Sequence, residues 1–317
     1  MLRFRLLSAF VVISAALVFV ALDAWWPIST SKDESGAEIY CTGFWMIPLG
    51  GYLIFGSAIE CVGMCRKGPL GSIAAPALIG CAGVMLASTV PVYWPLMGES
   101  YPRDCGLGHL GWPLAASAIA LVGCFAWFIP NYQVNSGYFA RAVLAGWVSM
   151  YFGACFAFAV ALRLTGSPSW GLFLLVGMIV VTKFADAGAY FSGRAWGRTK
   201  LCPAVSPGKT VEGLIGGMTV AVLVAWIYFD VFASWFFGET NVQTGIFGVV
   251  ALGVLLTLAG VMGDLLESIF KREMGCKDSG RLLPGLGGLW DVTDSLLPAA
   301  VVGYLVIVAK LIVGPGQ

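Results

Sequence analysis

The stretch "GDLLESIFKREMGCKDSGRLLPGLGGLWDVTD", Gly263 to Asp294, holds ten of the chain's 35 Asp, Glu, Lys and Arg, although only 11% of the sequence is charged. It lies between two apolar runs, "GIFGVVALGVLLTLAGVM" (245–262) and "SLLPAAVVGYLVIVA" (295–309). Each run approaches the ~20 residues that a helix needs to cross a bilayer. A polar island between two such runs reads as a loop at a membrane surface.

The same alternation extends through the chain. At 317 residues it has the length of two soluble domains. However, it is 59% hydrophobic, with 42 glycines, 12 tryptophans, one histidine and a mean hydropathy of +0.87. Such a composition excludes ordinary soluble domains and predicts an all-α, polytopic integral membrane protein. About nine transmembrane helices are expected, over 6–24, 43–62, 70–92, 109–129, 140–162, 169–191, 213–236, 245–266 and 292–313. The first follows Arg3 and Arg5 as a signal peptide would. Its apolar stretch is long for an h-region and runs into Trp25 and Trp26, so a retained helix is expected.

Loop charge orients the spans. With the N-terminus inside, 13 of the 18 Lys and Arg fall on the inner side and three, Lys32, Arg103 and Arg163, on the outer. The positive-inside rule then predicts a cytoplasmic N-terminus and an outside C-terminus. A net charge of +1 gives no reason to expect a nucleic-acid partner. The nine cysteines form no ligand cluster, and one histidine cannot complete the usual zinc site. A Cys41–Cys105 disulfide remains open for loops facing an oxidising compartment.

Charge is also unevenly placed along the chain. Two windows, 183–212 and 263–294, carry seven and ten charged residues, both expected on the cytoplasmic side. This divides the chain into N-terminal spans over 1–167, with little chemistry in their loops, and a catalytic half over 168–317. The first window, "KFADAGAYFSGRAWGRTKLCPAVSPGKTVEG", starts inside a span. Lys183 and Asp186 are three apart on one face and can pair. Charges within a span are costly and mark functional sites. The basic residues and glycines that follow suit an anionic phosphate. "GKT" at 208–210 is not a nucleotide P-loop, because Pro203 stands where that motif needs glycine.

In the second window Asp264, Glu267 and Lys271 follow i, i+3, i+7 spacing on one helix face. Asp291 and Asp294 then open the last span. Carboxylates converging without histidine or thiolate suit a hard cation such as Mg²⁺ completed by substrate phosphates. Lys271, Arg272, Lys277 and Arg281 supply positive charge for a polyphosphate.

These residues resemble the phosphatidate cytidylyltransferase (CDP-diacylglycerol synthase) family. Its signature runs Ser-x-x-Lys-Arg, Lys-Asp, Pro-Gly-His-Gly-Gly, Asp-Arg-x-Asp. The counterparts here are "SIFKR" (Ser268, Lys271, Arg272), "KD" (Lys277, Asp278), "PGLGG" (Pro284 to Gly288) and "DVTD" (Asp291, Asp294). The first window resembles the family's Asp-x-Gly-Ala-Tyr and Ser-Pro-Gly-Lys-Thr stretches. The resemblance covers about 168–310, and Leu286 and Val292 depart from it where the signature has His and Arg.

The resemblance implies CTP plus phosphatidate giving CDP-diacylglycerol and pyrophosphate for phospholipid synthesis at a bacterial inner membrane, with the active site cytoplasmic. It implies Mg²⁺, with a second cation left open, on Asp264, Asp291 and Asp294. It assigns catalysis to these and to Lys271, Arg272 and Lys277. Substrate binding falls to Asp186, Ser206, Lys209, Ser268, Gly287 and Gly288, with CTP, phosphatidate and membrane lipids as partners and a homodimer as the assembly. Three other readings stay open: a CTP-dependent polyprenol or lipid-alcohol kinase, an ion-coupled transporter using Lys183 and Asp186, and a catalytically silent homologue suggested by Leu286 and Val292.

Overall fold

A computed structural model describes residues 2–26, 28–32, 38–66, 72–102, 104–134, 136–238, 243–280, 282–283, 285 and 287–314. Arg281, Pro284 and Leu286 lie outside the described residues, as do Lys67 and Arg103. The described residues are mostly helical, with three short two-stranded pairings among them: β1 (Ile28–Lys32) with β2 (Glu38–Cys41), β3 (Lys200–Cys202) with β4 (Ser206–Thr210), and β5 (Gln243–Thr244) with β6 (Ile312–Val313). Among the described residues eight helices are long and apolar enough to span a membrane, or nine with one bent pair counted as a span. This is the expected all-α polytopic architecture. Lipid imposes it, because only structures that satisfy their own backbone hydrogen bonds survive in hydrocarbon.

The helices form two units. One comprises residues 1–164 together with 273–293, and the other 165–272 together with 294–317. In the first unit lie α1 (Leu2–Trp25), α2 (Met46–Cys65), α3 (Ala74–Ser88), α4 (Val90–Tyr93), α5 (Gly111–Phe128) and α6 (Tyr138–Arg163). The bent pair is α3 with Val90–Met97, which turn by 45°. Pro91 accounts for the break: it has no N–H for the carbonyl a turn back, and its ring clashes there.

Small residues set the packing of α3, α5 and α6, since without water to exclude, close backbone approach supplies the attraction. Gly80 faces Ser149 and Gly153 faces Val84, with no room for a β-carbon at either. Ser149 Oγ donates back to its own helix at Ala145 O (2.9 Å) and across to Ala77 O (3.0 Å). Asp23, at the end of α1, accepts from Arg163 Nε at 2.7 Å, and both side chains are almost fully buried. That pair fastens the two ends of the unit's helices. Cys41 and Cys105 are both free; Cys41 is buried, which pushes its thiol pKa up.

The second unit holds α7 (Pro168–Trp196), α8 (Val211–Trp226), α9 (Ala233–Phe237), α10 (Ile246–Glu273) and, after α11 (Trp290–Thr293) in the first unit, α12 (Leu296–Val308). Ser167 caps α7 by accepting from Trp170 N, with Pro168 in the first turn, where its missing N–H costs nothing. A π-helical segment, Ile227–Phe232, joins α8 to α9 within one 27-residue span. Ala185, Ala189 and Gly193 of α7 repeat every four residues against Gly213 and Gly217 of α8, so the two backbones pack closely.

Candidate functional site

The charges of the second unit gather where α7, α10 and the start of α12 meet. Two glycines of α10 permit this. Gly263 packs on the carbonyl of Asp294 and on Pro298, leaving no space for a side chain, and Gly260 faces Ser295, Thr182 and Asp186. A larger residue at 263 would push the first turn of α12 off the helix.

Asp264, Glu267 and Asp294 thereby bring one carboxylate oxygen each within 4.8 Å of one another. Asp264 is partly exposed, whereas Glu267 and Asp294 are buried. Lysines meet the charge. Lys209 Nζ lies 2.7 Å from Asp264 Oδ2, and Lys271 Nζ lies 3.1 Å from Glu267 Oε2. Beside them, Lys183 Nζ donates to Ser295 Oγ at 2.8 Å and sits 3.5 Å from Asp186 Oδ2. Ser295 Oγ donates in turn to Asp186 Oδ2 at 2.9 Å, and Ser295 N to Asp294 Oδ1 at 2.6 Å. Four carboxylates and three lysines thus form one polar cluster among the apolar helices of the second unit.

Lys209 reaches this cluster from the β3–β4 hairpin. Thr210 caps α8 by accepting from Gly213 N (3.1 Å), and the Glu212 carboxylate accepts from Arg198 N and Thr199 N at 3.1 and 3.0 Å. The hairpin is therefore tied to the helix it precedes, and Lys209 also donates to Val261 O at 3.4 Å. Ser206, half-buried, pairs across the hairpin with Cys202. Ser268 lies half-buried on α10 next to Glu267, and Arg272 is exposed at that helix's end.

The remaining expected residues belong to the first unit. Lys277 and Asp278 are exposed in the loop after α10. Leu283 and Gly287 exchange backbone hydrogen bonds (3.0 and 3.1 Å). Gly287, at φ +102°, uses a backbone region open to glycine and closed to most side chains. The Asp291 Oδ2 accepts from Gly288 N at 2.7 Å and Ser279 N at 3.1 Å, and lies 2.7 Å from Ser279 Oγ. Asp291 lies in the first unit, and the three-carboxylate group of the second unit includes Glu267. The i, i+3 spacing from Asp264 puts Glu267 on the right helix face, yet the expected ligand set omits it. Ser295 carries no sequence signal of its own. Val292 is half-buried, its N–H bonded to Leu289 O at 3.2 Å.

The donor set suits a hard divalent cation: three carboxylates, all oxygen, with no nitrogen or sulfur ligand in the group. A cation entering this group would compete with Lys209 and Lys271 for their carboxylates.

The model of the "Cytidylyltransferase family" matches residues 36–309. A phosphatidate cytidylyltransferase of Haemophilus influenzae is 47% identical over 135 residues, 43% of this chain and 46% of the relative. One of Brucella suis is 39% identical over 162 residues, 50% of this chain and 56% of the relative. One of Bacillus subtilis is 36% identical over 149 residues, 47% and 52% of the two chains. These alignments span about half the length of the curated relatives.

Proposed function

We propose a function from one premise: the chain belongs to the cytidylyltransferase family. On our reading it is a CTP:phosphatidate cytidylyltransferase that makes CDP-diacylglycerol and pyrophosphate, as its relatives' names suggest. The observation that carries the reading is the oxygen-only carboxylate group of Asp264, Glu267 and Asp294, ringed by lysines at the end of a spanning bundle. A lipid phosphate and a nucleotide triphosphate meet at such a boundary, and both need charge neutralised.

In the reaction, a phosphate oxygen of phosphatidate forms a bond to the α-phosphorus of CTP while the bond to the β-phosphate oxygen breaks and pyrophosphate leaves. The attacking phosphate is already anionic near neutral pH, so no general base is required. Positioning and electrostatics then do most of the catalysis.

Asp264, Glu267 and Asp294 would hold a divalent cation, for which we propose Mg²⁺, and Asp291 keeps the ligand role that its place in the signature implies. Such an ion, when bound, neutralises phosphate charge and orients the phosphates. Lys271, Arg272 and Lys277 bind phosphate oxygens, as do Lys209 and Ser206 from the β3–β4 hairpin. Lys183 and Ser295 hold Asp186 and Asp294 in orientation. Ser268, Gly287 and Gly288 complete the substrate-binding set. The membrane orientation we propose places these groups in the cytoplasm, where CTP is found, with the N-terminus inside, and a homodimer remains the expected assembly.

The test is incubation of the purified protein with labelled CTP and phosphatidate, with and without Mg²⁺. Label should enter CDP-diacylglycerol only with the metal. Label-free lipid, or transfer of the γ-phosphate to a lipid alcohol, would overturn the reading.

A further inference from the structure

The first unit contains a buried acid that neither the signature nor the proposed mechanism uses. Glu60 sits on α2, in a span otherwise apolar, and is only 9% exposed. A buried carboxylate in such a segment is costly without partners, so what it binds is informative. Its Oε2 accepts from Ser279 Oγ at 3.0 Å and from Trp290 N at 3.1 Å, more than 200 residues away in sequence. Its Oε1 is buried with no hydrogen-bond partner. Gly280 and Gly288 lie against this carboxylate so closely that a β-carbon at either would overlap it.

The same Ser279 hydroxyl lies 2.7 Å from Asp291 Oδ2. One residue thus joins Glu60 to the aspartate of the signature. One turn away on α2, Ser57 Oγ bonds Thr293 Oγ1 at 2.8 Å, and Gly56 makes room for Leu289. Trp290, fully buried, meets the Phe152 ring edge-on at 5.3 Å. A single face of α2, at positions 56, 57 and 60, therefore receives Ser279, Gly280, Gly288, Leu289, Trp290 and Thr293.

We propose that Glu60 is a positioning residue for the proposed reaction. It accepts the Ser279 hydroxyl and the Trp290 N–H, and so fixes Ser279 and the start of α11 and, through them, the orientation of the Asp291 carboxylate. This assigns a chemical role to an N-terminal span in which the family resemblance showed only a hydrophobic pattern. Apolar packing would dock α11, but it cannot satisfy a buried hydroxyl and a buried backbone donor. The kinetic part of the proposal rests on the cytidylyltransferase reading; the structural part does not.

The experiment uses the full chain in detergent or proteoliposomes and four proteins: wild type, Glu60→Leu, Glu60→Gln and Ser279→Ala. The first readout needs no activity. Cys276, a half-exposed free thiol at the start of the loop, is alkylated and followed by peptide mass spectrometry, with Cys202 of β3 as the internal control. Glu60→Leu and Ser279→Ala should alkylate Cys276 at least about fivefold faster, with Cys202 unchanged, because a loop that loses its anchors opens more often. The second readout is kinetic. Glu60→Leu should lower kcat at least about tenfold with KM for phosphatidate within about twofold, as expected when orientation rather than binding is lost.

Glu60→Gln retains a carbonyl in the place of Oε2 and should stay within about threefold of wild type in both readouts, since a neutral acceptor satisfies the same donors. If Glu60→Leu does not insert, Ser279→Ala carries both readouts. Wild-type alkylation of Cys276 in Glu60→Leu and Ser279→Ala would overturn the proposal even if the wild-type enzyme makes no CDP-diacylglycerol. Glu60→Gln behaving like Glu60→Leu would overturn it as well, because charge rather than hydrogen bonding would then be the requirement.

Discussion

Two groups of acids in this molecule look alike in sequence and differ in what holds them. In the second unit, Asp264 and Glu267 face lysine ammonium groups at 2.7 and 3.1 Å. In the first, Glu60 and Asp291 are held by a serine hydroxyl and by backbone N–H groups of Ser279, Gly288 and Trp290. A lysine side chain is long and can swing away when a metal ion or a phosphate arrives. A backbone N–H cannot leave without moving the loop that carries it. The first arrangement suits exchange of charge during a reaction, and the second suits the fixing of a loop.

The largest test of this contrast is removal of a single charge from the second unit. Asp294→Asn should reduce turnover by more than about a hundredfold while the protein remains inserted, since loss of a metal ligand removes several kcal/mol of transition-state stabilisation. The assay is initial rate against Mg²⁺ concentration. Residual activity above about a tenth of wild type, a cost under ~1.4 kcal/mol, would remove Asp294 from the ligand set. Asp291→Asn, with its charge gone and its hydrogen-bond acceptor kept, should lose as much if its role extends beyond the loop, which is our expectation.

A buried pair that belongs to neither acid group should behave differently. Asp23 and Arg163 are enclosed, so Asp23→Asn strands a guanidinium in an apolar setting, at a cost of about 3–5 kcal/mol to folding. Thermal unfolding in detergent should show a clear drop in Tm, with kcat of the surviving protein unchanged. An unchanged Tm would mean that the pair is solvated.

Replacement of an exchangeable lysine should have a smaller effect. Lys209→Met removes one charge-assisted contact, worth ~1.5–3 kcal/mol, so KM for CTP should rise about tenfold or more. The opposite result, a rise in KM for phosphatidate alone, would shift Lys209 from the nucleotide to the lipid. The smallest effect is expected where the chain departs from the family signature. Val292→Arg adds a cation to a signature that already carries Lys271, Arg272 and Lys277, and should change kcat/KM by less than about threefold. A tenfold gain would show that the native site lacks a phosphate contact.

Much of this is legible in the amino-acid sequence. The spans can be read because each must hide its backbone in lipid, and an apolar run of that length has few alternatives. The polar windows stand out for the same reason: charge inside or beside a span is expensive, so its presence is a signal. Spacing along one helix, as in Asp264, Glu267 and Lys271, is also local and can be counted by eye.

The membrane architecture, the two charged windows and the signature within them therefore follow from local order along the chain. Which acids stand together, and what each one binds, follows only from packing. Packing selects Glu267 for the carboxylate group, sets Ser295 between Lys183 and Asp186, and seats residues 273–293 in the first unit. It also joins Glu60 to Ser279, a bond across 219 residues. No periodicity encodes such a contact. It depends on which helix faces meet, and that is settled by close-fitting glycines such as Gly56, Gly263 and Gly288, whose significance appears only when the neighbour that needs the space is known.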